Sequence, residues 1–111
     1  MREGIIILED NEIIELYFER VEDAVEQTST KYGAYCYSIA MNILNNNEDT
    51  EECLNDTYLR VWNSIPPQRP MSLLAYLGKI VRNIAIDRVR KKSSSKHNAY
   101  RKAYQKHDDL S

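Results

Sequence analysis

The sequence predicts an all-α fold, a bundle of four helices. Apolar residues recur every three or four positions in four successive segments, which is the period of one face of a helix. No segment alternates apolar and polar residues as a half-buried strand does. Three glycines and three prolines among 111 residues are too few for a turn-dense all-β chain. A chain of this length forms one domain around one core.

The first two predicted helices lie before an asparagine triplet, residues 45–47, which suits a turn or a helix cap. Asp10 or Asn11 can cap the first helix. Its apolar stripe consists of Ile13, Ile14, Tyr17 and Phe18. The second helix carries on one face Val25, Thr28, Tyr32, Cys36, Ile39 and Ile43. Gly33 in this helix costs about 1 kcal/mol relative to alanine, so we expect close packing or a bend there.

The third predicted helix begins near Glu48 and ends before Pro66 and Pro67, because proline cannot continue a helix. Its core face consists of Leu54, Tyr58, Val61, Trp62 and Ile65. The fourth helix starts near Ser72 and directs to the core Leu74, Leu77, Ile80, Val81 and Ile84. A different face of it carries Tyr76, Lys79, Asn83, Ile86 and Arg90.

The helical repeat of apolar residues ends at Lys92, and this boundary helps to divide the chain into three predicted segments. Residues 1–10 are an N-terminal extension, residues 11–92 are the domain, and residues 93–111 are a flexible basic linker or tail. A weak helix around residues 98–106 is compatible with the composition of the tail.

Charge is distributed unevenly along the chain, although the net charge is only −2. Residues 1–30 hold two basic and nine acidic residues, and residues 31–62 hold two and five. Residues 63–111 hold eleven basic and three acidic residues. This asymmetry predicts a polyanion partner for the basic part and a different partner for the acidic part.

Composition argues against several classes of protein. The longest aliphatic run, residues 5–8, is far shorter than the roughly 20 residues of a membrane helix and lacks the features of a signal peptide. Two cysteines are too few for a disulfide framework, so we expect Cys36 and Cys53 to be buried, reduced thiols. The two histidines, His97 and His107, have no zinc-ligand spacing. We expect a cytoplasmic protein without membrane, metal or cofactor.

The third helix presents a mixed polar face. Steps of three and four residues place on it Glu52, Asn55, Asp56 and Leu59. Such a face suits docking against a basic partner helix, although an ordinary solvated surface gives the same pattern. A helical hydrolase with paired carboxylates is a further alternative, which a metal at Asp49, Glu52 or Asp56 would support.

The fourth helix and the residues after it concentrate positive charge. Cations neutralise phosphates and release counterions, and a tyrosine and an amide there, Tyr76 and Asn83, offer stacking and edge recognition to single-stranded bases. The alternative is a cationic helix end stabilised by the helix dipole, but seven cations exceed what a cap requires. The seven, opposed only by Asp87, are Lys79, Arg82, Arg88, Arg90, Lys91, Lys92 and Lys96.

These two helices resemble region 2 of bacterial sigma factors, in particular the extracytoplasmic-function group. On the third helix the family pattern is roughly DAEDLVQEVFLRAW, and residues 49–62 read DTEECLNDTYLRVW without a gap. On the fourth it is roughly WLxxIARNLAIDRLR, and residues 76–92 read YLGKIVRNIAIDRVRKK. The resemblance covers about residues 11–92, and it implies a transcription initiation factor rather than an enzyme.

The resemblance implies a role for each matched position. The acidic helix binds the clamp helices of the largest catalytic subunit of core RNA polymerase, through Glu52, Asn55 and Asp56, flanked by Leu59 and Arg60. The fourth helix and the loop before it open the promoter and hold the single-stranded non-template minus-ten element. The DNA-binding residues are then Ser64, Gln68, Arg69, Ser72, Tyr76, Lys79, Arg82, Asn83, Arg88, Arg90, Lys91 and Lys92.

Three departures from the family pattern bear on these roles. The usual Gln-Glu pair is Asn55-Asp56, one methylene shorter on each side chain, and the usual Trp is Tyr76. We expect the C-terminal domain that reads the minus-thirty-five element to be absent, because nothing after Lys92 has its length or period. The alternative function is a sigma-like interaction module, regulated by an anti-sigma factor or docking on polymerase without sequence-specific DNA binding.

Overall fold

Four helices form the protein in the computed structural model, which describes the backbone of residues 6–108 and the side chains of residues 6–92. They are α1 (Asp10–Phe18), α2 (Asp23–Leu44), α3 (Asn47–Ser64) and α4 (Leu73–Asp108). The central helix α2 contacts each of the other three, and α3 also packs against α4. The predicted all-α, four-helix fold is confirmed, and no strand occurs in residues 6–108. None of the described helices is long and apolar enough to cross a membrane.

The helix ends explain where the chain turns. Glu9, rather than Asp10 or Asn11, occupies the cap position of α1, and its backbone N–H donates to Glu12 Oε1 at 2.9 Å. The start of α3 is capped by Asn46, whose Oδ1 accepts from the Asp49 N–H at 2.8 Å. Such caps satisfy N–H groups that have no partner within the helix.

Asp10 is not the α1 cap because its carboxylate points to α2. Its Oδ1 accepts hydrogen bonds from Lys31 Nζ and Tyr32 Oη, both at 2.8 Å. Burial alone would raise the pKa of Asp10, but these two hydrogen bonds and the charge of Lys31 outweigh it and lower the pKa below its usual value. The contact fastens α1 to α2.

The core follows the predicted apolar stripes with one correction. Leu74 was expected inside, but it is 41% exposed, and Leu73 is fully buried in its place. The reason is helical phase, because Leu73 lies four residues before Leu77 and seven before Ile80 and therefore shares their face. The fully buried Tyr17 hydroxyl lies 2.6 Å from Thr28 Oγ1, which donates to the Ala24 carbonyl at 2.8 Å.

Both cysteines are buried and free, as predicted. Burial, followed by the neighbouring Cys53, raises the pKa of the Cys36 thiol to about 11, so it stays protonated near neutral pH. Burial also raises the pKa of Cys53. These thiols are core packing groups with little nucleophilic character.

Close packing occurs at a different glycine from the one predicted. A Cβ on Gly33 would lie 3.6 Å from Tyr58 Oη, which is ordinary contact, so Gly33 is not a site of close packing. Close packing occurs at Gly78 of α4, where a Cβ would lie 2.6 Å from the Tyr35 hydroxyl. Gly78 therefore leaves room for the Tyr35 side chain where α2 packs against α4.

Helix α4 continues well past the predicted end of the domain. The backbone of residues 93–108 is helical, and this stretch includes the weak helix predicted around residues 98–106. These residues include no glycine or proline, and seven of the sixteen are Lys, Arg, Ala or Gln, which favour helix even without an apolar face. Whether residues 93–111 act as a linker stays a prediction.

Candidate functional site

The residues predicted to dock a partner share one exposed face of α3. Together they are called the docking face: Glu52, Asn55, Asp56, Leu59 and Arg60. The opposite face of α3 is fixed in the core by Cys53, Thr57 and Val61, all fully buried. Leu59 is 59% exposed, so the docking face offers an apolar contact between its charged groups.

Two groups among the predicted DNA-binding residues of α4 point in different directions. The first group faces solvent and is called the outer stripe: Lys79, Arg82, Asn83 and Arg90. Arg82 Nη1 donates to the Gly78 carbonyl at 3.3 Å. Among the described side chains, the three cations of the outer stripe form no ion pair. Their charge is therefore not compensated by a direct partner.

The second group, Arg88 and Lys92, turns toward α3. Arg88 Nη2 lies 3.8 Å from Asp49 Oδ1 and forms an ion pair with Glu52, and Arg88 Nη1 lies 3.7 Å from Asp56 Oδ2. Lys92 Nζ donates to Asp49 Oδ2 at 2.7 Å. We call these five residues the ion-pair cluster. The sequence assigned the acids and the cations to different partners, yet the structure brings them together.

Asp49 is the member of the cluster that was predicted to bind neither polymerase nor DNA. Its side chain is only 19% exposed. The hydrogen bond from Lys92 is the main reason that the pKa of Asp49 lies below its usual value, and the positive charges of Lys92 and Arg88 act in the same direction. The spacing of Asp49, Glu52 and Asp56 at steps of three and four was the signal that could have found it.

Lys91 makes a different contact, with Asp87 one turn earlier in α4, at 3.2 Å. Both side chains are more than half exposed, so the pair contributes little to stability. Lys91 can therefore exchange Asp87 for another anion at little cost.

A groove of about 1100 Å³ runs between α3 and α4. Its α3 wall is formed by part of the docking face together with Asn63, and its α4 wall includes two members of the outer stripe, Asn83 and Arg90. Ile86, 37% exposed, adds an apolar surface on the α4 side. The groove is therefore the place where the two predicted surfaces meet.

The loop predicted to bind DNA, residues 64–72, begins at the last residue of α3 and contacts α1 through Arg69. Arg69 Nη1 donates to Glu15 Oε2 at 2.8 Å, and its guanidinium lies 4.1 Å from the centre of the Phe18 ring. Arg69 was predicted to bind DNA, and in this structure it pairs with Glu15, although both side chains are more than half exposed and the pair contributes little to stability. The sequence gave no role to Glu15 and Phe18 in this region, because the contact spans 54 residues of chain.

The start of the same loop is held by a second arginine. Arg20 Nη1 donates to the carbonyls of Trp62 and Ile65, both at 2.9 Å. Its guanidinium also lies 3.7 Å from the Trp62 ring centre. Arg20 therefore closes the C-terminal end of α3, where carbonyl groups have no partner within the helix.

The remaining loop residues differ in how accessible they are. The Ser64 and Tyr76 hydroxyls are 2.7 Å apart and both side chains are half-buried. Ser72 Oγ accepts from the Ala75 N–H at 3.1 Å and so caps α4. Gln68 is exposed, and Met71, which the sequence did not single out, is fully exposed.

The carboxylates of α3 are arranged around cations of the chain itself. Within residues 6–92, no group of three or more His, Cys, Asp or Glu side chains could hold a metal ion. The three acids that a metal-dependent hydrolase would need, Asp49, Glu52 and Asp56, surround the Arg88 guanidinium. The geometry gives no support to the hydrolase alternative.

Comparison with known proteins produced one match. A family model described as sigma-70 region 2 matches residues 29–95, which is more than half of the chain. The match includes α3, the loop, and α4 as far as the ion-pair cluster. Searches of curated proteins and of solved structures gave no match.

Proposed function

The chain belongs to the sigma-70 region 2 family, whose domains bind RNA polymerase and melt promoters in transcription initiation, and from this premise we propose a specific division of labour. The docking face of α3 binds the clamp helices of core RNA polymerase. The outer stripe of α4 and the loop at residues 64–72 hold the single-stranded non-template minus-ten element. The domain is of the extracytoplasmic-function type and works in the cytoplasm.

The composition of the docking face supports the polymerase assignment. Asp56 is 56% and Glu52 59% exposed, so either carboxylate can meet a basic partner helix with little loss of hydration. Leu59 supplies the apolar contact that an interface needs at its centre. Asn55 lies between Glu52 and Asp56 in the sequence, and its amide can donate and accept hydrogen bonds.

The outer stripe has the chemistry expected of a single-strand binding surface. Lys79, Arg82 and Arg90 repeat along one side of α4 and can follow a phosphate backbone. Tyr76 lies on the same side, half-buried, with an aromatic face on which a base can stack. Flipping a base out of the duplex costs a few kcal/mol, which stacking and a pocket can offset.

The observation that carries the proposal is the groove between α3 and α4. Because docking-face residues line one wall and outer-stripe residues the other, polymerase bound to α3 and a strand held on α4 would lie side by side. This arrangement suits a factor that presents an opened strand to the polymerase to which it is bound.

The test measures binding of the protein to fluorescent minus-ten non-template oligonucleotides over a range of salt concentrations. With about four phosphates neutralised, the slope of log affinity against log salt should be near −3. Lys79→Gln should make the slope shallower by about 0.7, whereas Arg60→Gln, which removes a cation from the docking face, should leave it unchanged. A slope near zero for the unmodified protein would contradict DNA binding.

The second candidate function is a sigma-like interaction module without sequence-specific DNA binding, controlled by an anti-sigma factor. In its favour, the predicted DNA contact Arg69 pairs with Glu15 and lies over the Phe18 ring of α1. Matched and scrambled oligonucleotides distinguish the two candidates. A minus-ten binding domain prefers the matched strand, whereas an interaction module binds both equally.

A further inference from the structure

Arg20 occupies a backbone position that favours glycine, although it carries a long side chain. Its φ of 58° lies in the left-handed region, where a Cβ is unfavourable. The Arg20 N–H donates to the Tyr17 carbonyl at 3.0 Å, and the Val21 N–H donates to the Leu16 carbonyl at 2.9 Å. These two bonds form a helix-ending motif in which this position is usually glycine. A large side chain at such a position points to a specific contact.

The side chain of Arg20 reaches the start of the predicted DNA-binding loop. Its Nη1 donates to the carbonyls of Trp62 and Ile65, which flank Ser64 in the sequence. The hydroxyl of Ser64 in turn lies 2.7 Å from the hydroxyl of Tyr76 at the start of α4. A continuous set of contacts therefore connects Arg20 to Tyr76, the side chain proposed to stack on a base.

Helix α1 contacts the same loop at a second point. Arg69, near the middle of residues 64–72, pairs with Glu15 and lies over the Phe18 ring. The family match begins at residue 29, which comes after α1 and after Arg20. The side chains that contact the loop from this direction therefore lie outside the segment that the family match describes.

We propose that Arg20 is a positioning residue for strand recognition. It fixes the two carbonyls that flank Ser64, and it thereby sets the position of the Ser64 hydroxyl against Tyr76 without touching the strand. The inference rests on the proposed function, in which Tyr76 and the loop hold bases while the outer stripe holds phosphates. Loss of the Arg20 side chain should therefore weaken base recognition and leave the phosphate contacts in place.

The experiment compares Arg20→Ala with Lys31→Ala in binding to matched and scrambled minus-ten oligonucleotides. Lys31 is the matched control, because it is also a cation that donates to a backbone carbonyl, but its partners are Leu8 and Asp10 at the opposite end of α1. Arg20→Ala should bind the matched strand about three- to tenfold more weakly than Lys31→Ala does, because a displaced Tyr76 ring loses part of its stacking on the base.

The scrambled strand should be affected less, because it lacks the base that the loop recognises and is held mainly through its phosphates. The preference for the matched strand should therefore be smaller in Arg20→Ala than in Lys31→Ala. Equal preferences in the two variants would overturn the proposal.

The salt dependence distinguishes positioning from direct contact. Because Arg20 is exposed, a contact with phosphate is the competing explanation for a loss of affinity. Such a contact would make the slope of log affinity against log salt shallower by about 0.7 in Arg20→Ala. A positioning residue leaves the slope as it is in Lys31→Ala. A shallower slope in Arg20→Ala would therefore contradict the positioning role.

Arg20→Gly removes the same contacts and also removes the unfavourable backbone conformation. Because glycine adopts a positive φ without steric cost, this variant should be more stable in thermal unfolding than Arg20→Ala. It should nevertheless lose the preference for the matched strand to the same extent. If Arg20→Gly regains that preference, the loss in Arg20→Ala comes from instability and the proposal is wrong.

The failure of this inference can be distinguished from failure of the proposed function. If the unmodified protein prefers the matched strand and Arg20→Ala keeps that preference, the proposed function holds and Arg20 has only a structural role. If the unmodified protein binds both strands equally, base recognition is absent and both proposals are wrong.

Discussion

Arg88 of α4 lies 3.7 Å from Asp56 of α3, so a residue that the family resemblance assigns to DNA contacts one that it assigns to polymerase. The same guanidinium pairs with Glu52 and lies 3.8 Å from Asp49. One cation among three acids therefore joins the N-terminal half of α3 to the middle of α4. The two proposed surfaces are in direct contact.

The ion-pair cluster predicts a change in the titration of one carboxyl group. Because the hydrogen bond from Lys92 is the main cause that lowers the pKa of Asp49, Lys92→Gln should raise that pKa toward its usual value near 3.8. Carboxyl NMR titration measures the shift. Lys91→Gln is the matched control, since Lys91 pairs with Asp87 instead. A pKa of Asp49 that is equal in both variants would refute the contact.

The buried Tyr17 predicts a loss of stability at alkaline pH. Burial raises its pKa to about 12, above the usual value of 10. The unfolded chain therefore loses this proton first, and the stabilisation by the neutral phenol is complete below pH 10 and disappears as pH rises toward 12. The loss should amount to about 2–3 kcal/mol in the free energy of unfolding.

Denaturant titrations between pH 9 and pH 12 measure this dependence. Tyr17→Phe removes one ionisable group while Thr28 keeps its hydrogen bond to Ala24, so the variant should lose the part of the alkaline dependence that Tyr17 contributes between pH 10 and 12. The rest should remain, because burial also raises the pKa of Cys36 to about 11, and burial and Asp10 raise the pKa of Tyr32 to about 12. Full retention of the dependence in Tyr17→Phe would show that Tyr17 is not its source.

The two helical glycines predict opposite tolerance to alanine. Gly33→Ala should stabilise the protein by about 0.5–1 kcal/mol, because it reduces backbone entropy and meets only ordinary contacts. Gly78→Ala should be less favourable by about 1 kcal/mol or more, because its Cβ meets the Tyr35 hydroxyl at 2.6 Å. Thermal unfolding compares them, and Tyr35→Phe should rescue Gly78→Ala. Equal effects of the two substitutions would contradict the close contact of the Tyr35 hydroxyl with Gly78.

The contact of Arg20 with Trp62 predicts a specific cost at the end of α3. Arg20→Ala should destabilise the protein by about 1–2 kcal/mol, because two carbonyl hydrogen bonds and the stacking on the ring are lost. Trp62 is the single tryptophan, so its fluorescence reports the change directly. Arg60→Ala is the control and should stay within about 0.5 kcal/mol. A similar effect of both variants would argue against the Arg20 contact.

Periodicity predicted the four helices, most of the core and the exposed docking face, because side chains three or four apart share a face. Periodicity was less informative at the contact between α3 and α4. Arg88 lies four residues after Ile84 and seven after Val81, so it continues the inward face of α4 beyond the last apolar residue. Its charge grouped it with the other cations of α4 as a DNA-binding residue, with no prediction of the face on which it lies.

Contacts that are distant in sequence account for the other differences. Arg69 meets Glu15 across the bundle, and Asp10 meets Lys31 instead of capping α1. Neither contact can be read from the helical period, because each joins two parts of the chain whose packing the sequence does not specify. Leu74 was predicted to be buried where Leu73 is buried instead. The two leucines are adjacent, and the step of four residues from Leu73 to Leu77 places Leu73 on the buried face.

The central claim is that the docking face binds polymerase and the outer stripe binds DNA. It is tested most directly by measuring the affinities of Asp56→Arg for core RNA polymerase and for a minus-ten non-template oligonucleotide. Charge reversal on the docking face should weaken polymerase binding by about tenfold or more, since it opposes basic groups of the partner. Oligonucleotide binding by the same protein should be retained or modestly strengthened. Equal losses in the two affinities would contradict the account.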